Sequence, residues 1–176
     1  MAAKKSPSAK TAAARGFVLT RIFDAPRSLV FAAWTQPEQL KQWSAPHGFS
    51  IPVSTGTLKA GGKWRACMVS EKTGKLWLSG VYREVVTDSL LVFTHAWENE
   101  DGSRGPETVV TVRFSDLGKK TKMVMAQSGF DSAESSAGHA GGWKECLDRL
   151  RDLLSELQSK RPRSEERRVG KECRYR

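Results

Sequence analysis

Hydrophobic and polar positions change rhythm twice along this chain. Gly16 to Phe23, GFVLTRIF, sets Phe17, Leu19, Arg21 and Phe23 against Val18, Thr20 and Ile22, the period-two alternation of a strand. Asp24-Ala25-Pro26 then opens a helix, with Asp24 as the expected N-cap, Pro26 in the first turn, and Leu29, Val30, Ala33 and Trp34 as its apolar face. Thr35-Gln36-Pro37 breaks that helix, and Glu38 to Trp43 reads as a second short one, followed by a loop through Pro46, His47 and Gly48. From Phe49 the period returns to two. Phe49–Leu58 is a strand given edge or bulged character by Pro52. Lys63–Val69, with Trp64, Ala66 and Met68 on one side, Lys75–Val86, Leu90–Trp97, Glu107–Phe114 and Thr121–Ser128 follow. Turn residues separate them at Gly61-Gly62, Thr73-Gly74, Asp88-Ser89, Asn99 to Pro106 and Gly118.

The second change comes at Gly138. Through Gln158, the residues Trp143, Leu147, Leu150, Leu154 and Leu157 recur at steps of four and three, one face of an amphipathic helix. About 20 helical residues rise ~30 Å, enough to cross a small sheet. A stripe of five large apolar side chains needs cover, and the strands upstream are the available partner. Gly141-Gly142 inside this helix costs roughly 1 kcal/mol per glycine relative to alanine. Close approach of a strand or a ligand would offset that, and a frayed helix start would account for it equally.

Strand, two helices, about six antiparallel strands joined by short turns, then a long helix predicts an α+β fold: a curved antiparallel meander wrapped round the C-terminal helix. Within Lys75–Val86, strict alternation sends Trp77 and Val81 one way and Leu76, Leu78, Tyr82 and Glu84 the other. Alternation alone leaves open which face is internal. An inward Glu84 would need a partner such as Arg65 or Gln127, because an unpaired buried carboxylate is costly.

The totals refine this picture. At 176 residues and 39% hydrophobic content, one domain with a sizeable core is expected. The boundaries fall at 16–159, after an Ala/Ser/Lys-rich tail, 1–15, that reads as disordered. The net charge of +10 suggests nucleic acid until it is divided. Nine of those ten charges lie in residues 1–16 and 160–176, leaving the body nearly neutral, without the basic footprint a phosphate backbone requires. Within the basic tail 160–176, Arg163 to Arg174, RSEERRVGKECR, resembles the translation of a common sequencing-library adapter and is read as an appended artefact. No apolar run is long enough to span a bilayer, and the N-terminus has no apolar core of a secretory signal. Cys67, Cys146 and Cys173 are odd in number and widely spaced, so the expectation is a reducing cytoplasm, no disulfide framework, no metal site and no cofactor.

Four stretches, DAPRSLVFAAWTQPEQLKQW, LKAGGKW, SGVYREVVTDSLLVFTHAW and GGWKECLDRL, taken in order from about Phe17 to Leu157, resemble the activator of heat-shock protein 90 ATPase homologue family, within the wider START/polyketide-cyclase superfamily. The resemblance implies a helix-grip fold in which the last helix closes over the sheet and leaves a cavity, a feature periodicity could not supply. It is to the single-domain bacterial type, since only low-complexity residues precede the first strand.

Motifs of known catalysts, among them G-x-S-x-G, H-E-x-x-H, G-x-G-x-x-G and the P-loop, are missing. His47, His95 and His139 stand singly. His95 shares a strand face with Phe93 and Trp97, and if that face lines the cavity it is the candidate acid or base; a hydrogen-bonded strand histidine is the ordinary alternative. His139, at the start of the lid helix, could touch ligand or solvent. Six tryptophans spread over helices, sheet and lid rather than forming one exposed stacking row. The expected ligand-binding set is therefore Trp34, Trp43, Trp64, Met68, Trp77, His95, Trp97, Met125, Gln127 and Trp143, with core filling as the alternative for each. The leading expectation is a monomer or homodimer that binds a small apolar or aromatic molecule. The alternatives are a cyclase, dehydratase or hydrolase using the same cavity, or a co-chaperone that stimulates an ATPase.

Overall fold

The computed structural model describes residues 15–161, and both tails fall almost wholly outside that range. β1 (Gly16–Phe23) leads into α1 (Arg27–Thr35) and α2 (Pro37–Trp43). Six strands follow: β2 (Ser50–Gly56), β3 (Lys63–Ser70), β4 (Gly74–Val86), β5 (Leu90–Trp97), β6 (Thr108–Leu117) and β7 (Lys120–Ser128). The 27-residue helix α3 (Ala133–Ser159) closes the fold. All neighbours pair antiparallel in the order β1-β7-β6-β5-β4-β3-β2, so β2 to β7 form a meander and β1 returns to zip along β7. The sheet is curved, and the architecture is α+β of the helix-grip kind. No helix among the described residues is long and apolar enough to cross a membrane.

Three local expectations need correction. Asp24 does not cap α1: Pro26 occupies the N-cap with extended backbone, and its carbonyl accepts from Leu29 N and Val30 N at 3.0 and 3.2 Å. Proline's fixed φ sets the start of the helix, so no side-chain cap is needed. Helix α3 begins at Ala133, ahead of its apolar stripe, because the Ser132 side chain accepts from Ser135 N at 3.0 Å and satisfies one of the unpaired first-turn amides. Glu84 does not share the Tyr82 face. The β4–β5 register slips by one between Tyr82 and Glu84, a bulge that turns Glu84 out to solvent and brings Val85 against the core. The Pro52 expectation holds in both senses, since β2 is an edge strand and its register slips between Ser50 and Val53.

The main core lies under the C-terminal half of α3. Leu147, Leu150 and Leu154 are buried there against Val30 and Phe31 of α1, Val110, Val112 and Phe114 of β6, and Met123 and Met125 of β7. Arg21 of β1 pairs with Asp148 at 2.8 Å along the edge of this packing. A smaller cluster, Ala45, Ile51, Ala66 and Met68, lies toward β2 and β3.

Candidate functional site

Helix α3 makes its main backbone contacts with β1, α1 and α2, and stands off from the β2–β4 end of the sheet. Over that end it carries Ser135, Gly138, His139 and Gly142 instead of leucines. No long side chain fills the gap, and a cavity of about 430 Å³ remains between helix and sheet. The sheet contributes Trp64, Ala66 and Met68 from β3, Leu78 and Tyr82 from β4, and Phe93, His95 and Trp97 from β5. Trp34 and Trp43 close one end, and Pro46 faces Gly142 across the rim. Arg149 fixes the Pro46 loop from α3, donating to the Ala45 carbonyl at 2.6 Å. Among the described residues, no Lys, Arg, Asp or Glu lines this space.

The aromatic walls are held from behind. Trp34 stacks on Trp143 with centroids 5.6 Å apart, and meets Trp43 edge-on at 4.7 Å. Trp143 Nε1 donates to Gln127 Oε1 at 2.8 Å, Gln127 Nε2 donates to Thr108 Oγ1 at 2.9 Å, and the Thr108 hydroxyl donates to the His95 carbonyl at 3.1 Å. The indole can only donate and the threonine proton is already used, so the Gln127 amide has one consistent orientation. Trp64 lies across β4 and donates to the Thr94 carbonyl at 3.1 Å. Only glycine permits this at position 80, where a Cβ would sit 1.8 Å from that same carbonyl oxygen and 2.6 Å from the indole nitrogen.

Two histidines meet at the far wall, with ring centroids 5.7 Å apart. His139 is fully engaged: Trp97 Nε1 donates to its Nε2 at 3.2 Å, so Nδ1 carries the proton and donates to the Ser135 carbonyl at 2.9 Å. His95 is 6% exposed, and no other described residue hydrogen-bonds its ring nitrogens. Only Trp34 Nε1 and Gln39 Oε1 are sealed in protein without a partner among the described residues. The His95 ring therefore borders open space as well as its own backbone. Burial, helped by nearby His139 and Arg104, lowers the His95 pKa from its ordinary 6.5 to about 4, so the ring is neutral at pH 7. Behind the pair lies a recess of about 80 Å³, bordered by Thr108, Phe130, Asp131 and Ser135. Cys146 also faces the main cavity, and burial pushes its thiol up to about 12, which keeps it protonated and poorly nucleophilic at neutral pH. Among the described residues, no group of three or more His, Cys, Asp or Glu is placed to hold a metal ion.

Residues 24–155 match the family described as Activator of Hsp90 ATPase homolog 1-like protein. The chain belongs to that family. Solved structures of similar fold include an AHSA1 protein of Silicibacter pomeroyi, 25% identical, with TM-score 0.73 over 81% of this chain and 99% of that one. A solution structure from Arthrobacter aurescens is 25% identical, with TM-score 0.75 over 82% and 88% of the two chains. A Chromobacterium violaceum protein at 23% identity has TM-score 0.73 over 80% and 96%, a likeness of fold. Comparison with curated proteins gives no match.

In this member of the Activator of Hsp90 ATPase homolog 1-like family, seven of the ten residues expected to contact ligand line the hollow: Trp34, Trp43, Trp64, Met68, His95, Trp97 and Trp143. Three do not. Trp77 is on the opposite face of β4, where Arg65 stacks over its ring at 3.9 Å and is itself held by Glu98 at 2.7 Å. Met125 points inward but is fully buried beneath the leucines of α3. Gln127 is buried behind the wall and positions Trp143 rather than facing the space. Sequence reasoning left Phe93 out of the set although it shares strand parity with His95 and Trp97, and left out Leu78 and Tyr82 because Trp77, of opposite parity, stood for β4. Cys146, Pro46 and Ile51 carried no such signal.

Proposed function

We propose that this domain binds a small hydrophobic or aromatic molecule in the cavity between the sheet and α3, in a cytoplasmic setting. The observation that carries the reading is a hollow of about 430 Å³, walled by seven aromatic side chains besides its two histidines and crossed by no filling side chain. Apolar burial supplies affinity, the network through Gln127 and Thr108 keeps the tryptophan wall rigid, and His95 offers a buried polar side chain with no partner from another described residue. Four tryptophans border the space within reach of any occupant besides Trp43, so titration with a panel of aromatic and lipid-like compounds should change intrinsic fluorescence saturably. A flat response across the panel would remove the reading.

One observation favours catalysis as a second reading: a buried neutral imidazole bordering the hollow can accept a proton, as a cyclase, dehydratase or hydrolase would require. A base held near 4 has little driving force at pH 7, and among the described residues no serine, threonine or cysteine side chain hydrogen-bonds its ring, so binding ranks first. Loss of turnover in folded His95→Ala would support the enzyme. Stimulation of a chaperone ATPase rests on the family description alone, and a coupled ATPase assay tests it.

A further inference from the structure

The chemistry of the cavity wall narrows the ligand class, granted the binding reading above. We infer that the cavity selects an uncharged, ring-containing ligand with a single hydroxyl or carbonyl group, that His95 recognises that group, and that anionic analogues of the same skeleton are excluded.

Three observations converge on this. First, no ionised side chain among the described residues lines the main space, so a carboxylate or sulfonate would leave water without a counter-charge. Second, most of the other polar groups of the wall are already spent, the open ones being uncharged hydroxyls, chiefly that of Tyr82. His139 uses both nitrogens, the indoles of Trp64, Trp97 and Trp143 all donate to protein acceptors, and Gln127 and Thr108 satisfy each other. His95 and Tyr82 are each more than nine-tenths buried, border the hollow and have no side-chain partner from another described residue, and of the two His95 offers both a donor and an acceptor nitrogen beside the ring walls. A neutral imidazole has one donor and one acceptor, so it pairs with a hydroxyl in either sense or with a carbonyl as donor. It does not serve as a cation: with its pKa near 4, about one molecule in a thousand is protonated at pH 7.

Third, the recess behind His95 and His139 extends the polar end without changing its sign. Its border carries the Thr108 and Ser135 hydroxyls and the exposed Asp131 carboxylate. A hydroxyl-bearing end, or a water bound to it, fits there, whereas a second negative charge would meet Asp131. The aromatic lining, with Trp64, Phe93, Trp97 and Trp143 among it, favours a ring over a flexible chain for the rest of the ligand.

The test uses the full chain and two dyes of one skeleton, uncharged N-phenyl-1-naphthylamine and its sulfonate, 8-anilinonaphthalene-1-sulfonate. The inference expects the uncharged dye to bind at least about tenfold more tightly at pH 7. A second arm displaces that dye with 2-naphthol and with naphthalene. The hydroxyl should give about a tenfold advantage, which His95→Phe abolishes and His95→Gln partly retains, each variant being checked for folding by circular dichroism. Equal affinity for the two dyes, or an undiminished naphthol advantage in folded His95→Phe, overturns this inference and leaves the binding reading standing. Saturable binding by neither dye nor naphthol overturns both. The dye pair needs no variant, so the inference stays exposed to failure even where a substitution unfolds the chain.

Discussion

From Cys146 to Leu154, α3 presses five buried side chains into the β1, β6 and β7 end of the domain, whereas from Ser135 to Gly142 it buries one, Ser136. The same helix thus roofs two regions in opposite states, one close-packed and one hollow. The difference lies in side-chain volume and helix placement. Leucine spacing draws the C-terminal half against the core, each fully buried leucine contributing about 1.5–3 kcal/mol. The N-terminal half carries glycine, alanine and serine, and lies over strands to which the helix backbone makes no main contact. The packed end contributes the stability that allows the other end to stay unfilled.

The largest expected effect separates the two ends directly. Leu150→Ala, at a fully buried site, should cost about 2–5 kcal/mol in denaturant unfolding, because its neighbours cannot close the void. Leu78→Ala borders space that is already open and should cost under about 1 kcal/mol. Equal losses would mean that the hollow end is packed as tightly as the other.

Next comes acid sensitivity. His95 titrates near 6.5 in the unfolded chain and about 4 in the folded one, so between those values the unfolded state holds the extra proton. Stability that is present above pH 6.5 therefore falls as pH drops toward 4, by about 3 kcal/mol at most from this group. His95→Gln should flatten that part of the stability–pH curve, and an unchanged slope would contradict a buried neutral ring.

Smaller still, Gly142→Ala should raise stability by up to about 1 kcal/mol, since it gains helix propensity and its Cβ would meet only Pro46 Cγ, at an ordinary 3.8 Å. Destabilisation there would show the rim to be tighter than its geometry. Asp148→Asn should leave the denaturation midpoint within error. Its carboxyl is held below the usual range by Arg21, but the pair is half exposed and screened.

Much of this architecture was legible in the residues. Alternation alone marks β1 and β5 from first residue to last, and the leucine stripe names the packed half of α3. The bulge after Tyr82 was hidden, because one extra residue in a strand reverses every later side chain and leaves no compositional trace. The first turn of α3 was hidden for a related reason: AESSAG has a cap and no apolar stripe. For the cavity, parity groups Trp64 with Met68, and Phe93 with His95 and Trp97, but cannot say which side of a strand faces in, hence the misplacement of Trp77. Nor can it distinguish an inward residue under leucines, such as Met125, from one under glycines, such as Trp64. That distinction depends on how α3 crosses the sheet.

The central claim is that the glycine-bearing half of α3 covers usable empty space, and a titration of wild type and Gly142→Leu with N-phenyl-1-naphthylamine tests it most directly. A leucine at this rim position fills part of the hollow while suiting the helix. The account predicts saturable dye binding by the wild type and its loss, by about tenfold or more, in a variant at least as stable to denaturant. Undiminished binding in the folded variant, or none in the wild type, would contradict it.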